Sequence, residues 1–245
     1  MTNIEQIQAH NAELREVIEM AEKLPDDGYD AFWDAFQDPA WVDCDSRFAG
    51  LGWNDLTFYP KYDIPNNPAW QTSFATLFKN CAITDLAKRM QECGVKFVWD
   101  KVSRADNMFN WATKLTRVPE IDLSNISNCY NIFATATSLV TIEKLKVSAK
   151  TTLNSAFYEC RSLENIVVEG ELAYNGLHFA QSTKLSKASI YSIIYALSDN
   201  VESYVLTLSL EAVDVAFVDG RDEGSYSTEW NNLIWEKRNW TIYLE

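Results

Sequence analysis

The chain has 245 residues, of which 47% are hydrophobic and 23% charged, and its formal net charge is −14. This composition excludes a disordered or collagen-like protein and allows a sizeable buried core. An acidic chain repels phosphate backbones and anionic lipids, so we expect neither a nucleic acid nor a membrane among its partners. The sequence does not open with a basic region followed by an apolar one, which predicts synthesis in the cytoplasm without a signal peptide.

Residue types used in catalysis and metal binding are few and scattered. The chain has five Cys without a CxxC pair, and its imidazoles are those of His10 and His178. The dispersed Cys argue against a disulfide scaffold, and two separate His cannot supply a His-based zinc site or a catalytic Cys–His pair. No phosphate-binding loop, dinucleotide fingerprint or nucleophile elbow is present. We therefore predict no enzymatic activity, no catalytic residues, no metal site and no cofactor.

Residues 4–24 have the heptad spacing of an amphipathic helix that ends before Pro25. Three heptads form a marginal helix in isolation, so the apolar face must pack against its own domain or against other copies. Asn11 in the seam fixes the register of identical parallel chains, and Val17 and Leu24 widen the apolar stripe. We predict a homo-oligomer, a trimer in preference to a dimer, with a helix folded onto its own domain as the alternative. The predicted oligomerisation residues are Ile4, Ile7, Asn11, Leu14, Ile18 and Ala21.

Residues 26–71 are rich in aromatic side chains interleaved with Asp. Aromatic faces stack on sugar rings while carboxylates accept hydrogen bonds from hydroxyl groups, which is the chemistry of a carbohydrate-binding surface. The same aromatic side chains would equally bury a large area and close one end of the region that follows. Both interpretations stay open. The candidate partner-binding residues in this segment are Trp33, Trp41, Trp53 and Tyr59.

A ten-residue pattern then occurs four times, and the four copies align with one another without insertions or deletions. Each copy begins with Phe, has a small residue at its fourth position and has Leu at its seventh. Successive copies begin 24, 24 and 22 residues apart, within the range of roughly 20–29 residues for leucine-rich repeats. The four copies cover residues 109–118, 133–142, 157–166 and 179–188.

These repeats predict an α/β leucine-rich-repeat solenoid, in which Phe stacks on Phe and the end of each copy leads into a strand of one sheet. Cys160 occupies the position of the small residue and is predicted to be a buried, unreactive thiol. Asp122, Lys146 and Glu169 are predicted to project from or near the strand face, which makes them candidate partner-binding residues. An N-terminal coiled-coil helix and a C-terminal α/β cap complete the predicted fold class.

The pattern changes after the repeats. A well-patterned helix at 186–197 begins at the end of the fourth copy, where the earlier copies lead into a strand. Beyond it, the sequence predicts strands at 204–210 and 240–244 and helices at 211–217 and 229–237. The predicted domains are a coiled-coil helix at 1–25, an aromatic-rich N-terminal cap at 26–71, the repeat solenoid at 72–190 and the C-terminal cap at 191–245.

The pattern F-x-x-[AC]-x-[SK]-L-x-x-[IV] resembles BspA-type leucine-rich repeats over residues 72–190. The segments NAELREVIEMAEKLP, YDAFWDAFQ, FAGLGWNDLTFYPKYDI and EWNNLIWEKRNWTIYLE extend the resemblance to leucine-rich-repeat proteins encoded in phage and prophage structural modules of gut Firmicutes. The resemblance implies a virion or tail-associated binding protein without known catalysis. It provides no catalytic motif that could be transferred to this chain.

The leading hypothesis is a non-enzymatic phage structural or adhesion protein that is made in the bacterial cytoplasm and located in the virion. Its expected partners are further copies of itself and either another virion subunit or a bacterial surface protein or glycan. Oligomerisation would join several weak binding sites and strengthen attachment through avidity. The alternatives are an intracellular protein-protein interaction module and a carbohydrate-binding protein.

Overall fold

The computed structural model describes residues 58–64, 72–218 and 226–245. The predicted oligomerisation helix at 4–24 lies outside the described residues. The strands are β1 Thr72–Ser73, β2 Val102–Arg104, β3 Arg117–Asp122, β4 Thr141–Val147, β5 Asn165–Gly170, β6 Leu177–Phe179, β7 Tyr204–Leu208 and β8 Trp240–Leu244. The helices are α1 Leu86–Cys93, α2 Lys187–Ala196, α3 Leu210–Phe217 and α4 Thr228–Glu236.

Each repeat begins with reverse turns that stack on the turns of the next repeat. In one such turn the Ala112 N–H donates to the Phe109 carbonyl at 3.1 Å. The third residue of these turns has positive φ, for example 61° at Trp111 and 63° at Thr135. Between repeats, the Phe109 N–H donates to the Ile132 carbonyl at 2.8 Å. Main-chain hydrogen bonds therefore hold neighbouring turns together.

One Phe from each turn stacks on the Phe of the next turn, as the sequence predicts. The ring centroids of successive pairs are 5.6, 5.5, 5.8 and 4.3 Å apart. Aromatic contacts of this kind contribute about 0.5–1.5 kcal/mol each beyond the area that they bury. The rings form a buried column along the repeats. Its members are Phe78, Phe109, Phe133, Phe157 and Phe179.

Strands β3, β4 and β5 form a parallel sheet with one buried face. Val118, Ile142 and Ile166 are cross-strand partners and lie in the core. The sheet packs tightly at the end of β5, where Gly170 has φ +106°. A Cβ atom at this position would lie 2.0 Å from the Val147 carbonyl oxygen. This close approach requires glycine at the end of the strand.

The predicted fold class is wrong. The described residues form a small mixed α/β fold with four helices, two three-stranded parallel sheets and a two-stranded parallel sheet of β1 and β2, and not a leucine-rich-repeat solenoid. The sheet of β3, β4 and β5 is called the first sheet below. The first sheet ends at β5 because α2 packs beside that strand. The hydroxyl oxygens of Ser189 and Ser192 accept hydrogen bonds from the backbone N–H groups of Ile166 and Val168, at 2.9 and 2.7 Å. These side chains occupy the position that the next strand of a solenoid would need.

The second three-stranded sheet has the order β6-β7-β8 and is also parallel. Helices α2, α3 and α4 and strands β7 and β8 confirm the elements expected after the repeats, within a few residues at their ends. Together with β6 they build a second sheet with its own helices, and not a terminal cap on a solenoid. Phe217 and Trp230 join α3 to α4, with ring centroids 5.0 Å apart.

Serine side chains cap the N-termini of three of the helices. Ser186, Ser209 and Ser227 each accept a hydrogen bond from a backbone N–H in the first turn of α2, α3 and α4, respectively. A cluster of buried apolar side chains then extends from Phe58 to Trp240 and connects the two three-stranded sheets. None of the described helices has the length and apolar character needed to cross a membrane.

Candidate functional site

The outward face of the first sheet brings three of the predicted partner-binding residues together. Asp122 is the cross-strand partner of Lys146, and Lys146 is the cross-strand partner of Glu169. The three residues therefore form one row across β3, β4 and β5. This arrangement follows from the pairing register, because side chains on neighbouring strands at paired positions lie on the same face.

Ion pairs connect the row to charged residues nearby on the same face. The Lys146 Nζ atom lies 2.5 Å from a Glu120 carboxylate oxygen. The Lys144 Nζ atom lies 3.6 Å from Glu120 and 3.3 Å from Glu169. Hydrogen bonding to Glu120 raises the pKa of Lys146, and the nearby carboxylates of Glu169 and Asp122 act in the same direction. The face therefore presents alternating charges that are held in place by one another.

Asp122 has a second role at the end of β3. Its Oδ1 atom accepts hydrogen bonds from the backbone N–H of Ser124 at 3.0 Å and from the Ser124 hydroxyl at 2.5 Å. This is a local turn in which the Asp side chain receives the main-chain donor two residues on. The turn fixes the orientation of the carboxylate beside Lys146.

A groove adjoins the charged face on the side of α1. Its volume is about 540 Å³. Met90, Val95, Phe97 and Trp99 provide apolar lining, whereas Arg117 and Glu143 provide charged groups that form an ion pair with each other. A groove with apolar lining and a few fixed charges is suited to holding side chains of a bound molecule.

Tyr59 packs against Arg89 of α1. The Arg89 guanidinium carbon lies 4.5 Å from the centroid of the Tyr59 ring, so one face of the ring is already covered by a cation. The other three aromatic candidates, Trp33, Trp41 and Trp53, lie outside the described residues. The structure therefore places the charged candidates in one row, whereas the contact shown for Tyr59 is with α1.

The sequence predictions missed Glu120, Lys144 and the groove. Glu120 and Lys144 are 24 residues apart, the same spacing as the repeat, and are cross-strand partners. The repeat period was therefore a sufficient signal for this pair. No comparable signal exists for the groove, because its lining comes from α1, the segment after α1, β3 and β4, which meet only in the folded chain.

The buried thiols do not have the properties of nucleophiles. Burial raises the pKa of both Cys129 and Cys160 to about 12, so both remain protonated at neutral pH. Cys160 is fully buried, in agreement with the prediction of a small core residue. In residues 58–64, 72–218 and 226–245, no three His, Cys, Asp or Glu side chains are grouped so that they could hold a metal ion.

Paired charges and an adjoining groove are features through which a surface can recognise a partner by complementary charge and shape. Comparison of the chain with protein-family models, with curated proteins and with solved structures found no match.

Proposed function

We propose that the protein is a non-enzymatic structural or adhesion protein of a phage particle, and that it holds a partner protein on the outward face of β3, β4 and β5. The observation that supports this proposal is the cross-strand row of Asp122, Lys146 and Glu169 beside a groove with both apolar and charged lining. The virion location rests on the resemblance of the sequence to phage structural proteins. Residues 4–24 would gather several copies of this face.

A protein partner fits the chemistry of the face better than a single small ligand. Its positive and negative groups alternate across three strands, so a partner must present several charges at matching positions. Such complementarity chiefly provides specificity and orientation, while apolar contacts in the groove provide binding free energy. We therefore expect binding that weakens as salt concentration rises.

Site-specific photo-cross-linking would test the proposal in the bacterium that carries the gene. A photoreactive amino acid at Val167, an exposed residue of β5, should cross-link a partner protein. The same group at Val215, an exposed residue of α3, is the control. The Val167 product should disappear when Lys146→Glu reverses the charge in the row. An identical product from both positions, or one insensitive to Lys146→Glu, would contradict the proposal.

The virion location has its own test. After prophage induction, mass spectrometry of purified particles should detect the chain in stoichiometric amounts with other structural proteins. If the chain stays in the cell lysate and the cross-linked partner is a host protein, the intracellular interaction module is the correct alternative. The two experiments therefore separate the binding face from the place where it acts.

Carbohydrate binding is a second candidate, favoured by exposed aromatic residues on the stacked turns. Trp111 and Tyr158 are about half exposed, and Thr135 lies between them in the stack, since Trp111 donates to Ala134 and Thr135 donates to Tyr158. Aromatic faces and neutral hydroxyls suit neutral sugars. A glycan array should show binding that Trp111→Ala abolishes and Trp235→Ala preserves. The absence of glycan binding by the unmodified chain would remove this candidate.

A further inference from the structure

The turn that leads into β6 contains an exposed Asn-Gly pair, the one such pair in the sequence. Its members are Asn175 and Gly176, and the next residue, Leu177, begins β6 and is buried. Gly176 has φ +86°, and a Cβ atom at this position would meet nothing within 4 Å. The turn therefore places a primary amide next to a main-chain nitrogen whose own residue has no Cβ.

Two hydrogen bonds attach this pair to Val205 of β7. The Gly176 N–H donates to the Val205 carbonyl at 3.0 Å. The Asn175 Oδ1 atom accepts a hydrogen bond from the Val205 N–H at 2.9 Å. Neither Asn175 nor Gly176 has an apolar side chain to withdraw from the core, and exposed segments with few buried contacts open at low free energy. The turn can therefore separate from Val205 without unfolding of the protein.

The two groups that Val205 holds are the reactants of asparagine deamidation. In this reaction the Gly176 nitrogen attacks Cγ of Asn175 and loses its proton. A new C–N bond closes a cyclic imide, the bond from Cγ to the side-chain nitrogen breaks, and ammonia leaves. Water then opens the imide at one of its two carbonyl carbons, which gives either aspartate or isoaspartate. Glycine favours the attack because no side chain crowds its nitrogen.

We propose that Asn175 is a site of spontaneous deamidation, and that the opening of its two hydrogen bonds to Val205 controls the rate. In the closed turn, the Val205 carbonyl holds the Gly176 proton and the Val205 N–H holds the carboxamide in place. Once the turn opens, the nitrogen and Cγ are free to approach each other. This modification does not depend on the binding face proposed for β3, β4 and β5.

Deamidation would alter the start of β6. Both products add a negative charge to a chain whose formal net charge is already −14. In isoaspartate the main chain runs through the former side chain and is longer by a methylene group. The donor at Gly176 and the acceptor at residue 175 then no longer match the spacing of the Val205 N–H and carbonyl. Because β6 has only 3 residues, we expect the modified chain to hold this strand less firmly.

A second exposed Asn provides an internal comparison. Asn154 is followed by Ser155, which also has positive φ, 51°. The Ser155 hydroxyl donates to Asn154 Oδ1 at 3.0 Å. Ser155 carries a Cβ atom that crowds its main-chain nitrogen, so Asn154 should deamidate more slowly than Asn175 once the chain is unfolded. In the folded chain, Asn154 has no contact with Val205 among those the structure shows, and its rate reports on general unfolding.

Peptide mapping by mass spectrometry on the full chain tests the site. During incubation at mildly alkaline pH, Asn175 should gain the mass that accompanies replacement of nitrogen by oxygen, and an isoaspartate-specific methyltransferase should methylate part of the product. Unfolding in urea should speed the reaction about tenfold or more, since the turn is then always open. Gly176→Ala should slow it strongly in urea. The proposal is overturned if Asn175 stays intact in the folded chain through an incubation many times longer than the unfolded chain needs, or if the two rates are equal.

A substitution at Val205 tests the control by hydrogen bonding. Val205→Pro removes the N–H that Asn175 accepts from and should raise the rate at Asn175 several-fold without changing the rate at Asn154. Val205→Ala keeps the N–H and is the matched control, with an unchanged rate. Equal rates at Asn175 in Val205→Pro and Val205→Ala would overturn the control by Val205.

Hydrogen exchange of the Gly176 N–H measures the same opening in the unmodified chain, and decides the question if Val205→Pro also speeds the reaction at Asn154. Folding should slow exchange of this N–H and deamidation of Asn175 by the same factor, because both reactions need the open turn. Protection of one reaction that greatly exceeds protection of the other would show that this opening does not set the rate.

Discussion

The backbone N–H of Ile166 donates to the hydroxyl of Ser189 at 2.9 Å. A side chain of α2 thereby takes the place of a neighbouring strand at the edge of the first sheet. The same hydroxyl donates to the carbonyl of Glu164 at 2.8 Å. One serine thus provides both the acceptor and the donor that a neighbouring strand would otherwise supply. The chain can therefore change from strand to helix without leaving these backbone groups unpaired.

Ser189→Ala should therefore destabilise the protein by about 1–3 kcal/mol, the range for leaving a buried donor without an acceptor. Chemical denaturation, followed by tryptophan fluorescence, would measure the change in the free energy of unfolding. Ser138→Ala, at a half-buried hydroxyl in the turn before β4, is the control and should have little effect. Equal losses in the two variants would show that the hydroxyl of Ser189 is not an important acceptor.

Thr135→Asn should stabilise the protein. Thr135 has φ 63°, a left-handed conformation that β-branched residues adopt only with strain, whereas Asn tolerates it. Asn80 already occupies the equivalent position after Phe78, and Asn107 and Asn131 adopt positive φ in the turns just before Phe109 and Phe133. We expect a gain of about 1 kcal/mol in the free energy of unfolding. Thr113→Asn, at an exposed position without positive φ, should give no comparable gain in the same thermal or chemical melt.

Gly170→Ala should be far more harmful than Gly176→Ala. Both glycines have positive φ, +106° and +86°, so both substitutions incur conformational strain. At Gly170 the new methyl group would also lie 2.0 Å from the Val147 carbonyl oxygen, whereas at Gly176 it would meet nothing within 4 Å. We expect an additional loss of about 1–3 kcal/mol at Gly170. Similar melting temperatures for the two variants would contradict the close packing at the end of β5.

The free energy of unfolding should decrease between about pH 10 and pH 12 because Tyr191 loses its proton in this range. The Tyr191 hydroxyl donates to Glu229 at 2.5 Å, and this hydrogen bond raises the pKa of Tyr191 from 10.0 to about 12. The folded state therefore holds the proton more tightly than the unfolded state does. The resulting stabilisation is complete below pH 10 and disappears as the pH rises to about 12.

Tyr191→Phe should remove this part of the pH dependence. Unfolding measured at pH 9 and at pH 12 should show a smaller difference for the variant than for the unmodified chain. Tyr243→Phe, at an exposed position on β8, is the matched control. If Tyr191→Phe and the unmodified chain lose the same stability over this pH range, the hydrogen bond to Glu229 does not control the titration.

Much of the candidate site could be predicted from the repeat period. Residues 24 apart on β3 and β4, such as Glu120 and Lys144, must be neighbours if successive copies pair in parallel. The pairing between β4 and β5 was harder to predict from the sequence. A register shift between Ile142 and Leu145 makes Lys146 the partner of Glu169, which is 23 and not 24 residues further along the chain. The groove was not predictable at all, since it depends on how α1 packs against β3.

The amino-acid sequence by itself determined the local features: the recurring Phe that stacks along the repeats, the small residue at the position of Cys160, and the change to a helix after Leu185. These features depend on neighbours a few residues away or on a regular period. Only the tertiary structure decided where the sheets end. Ser189 and Ser192 close the first sheet because α2 brings their hydroxyls to β5, whereas nothing described covers β8. A sheet edge is defined by what packs beside it, and that contact joins residues that a local pattern does not connect.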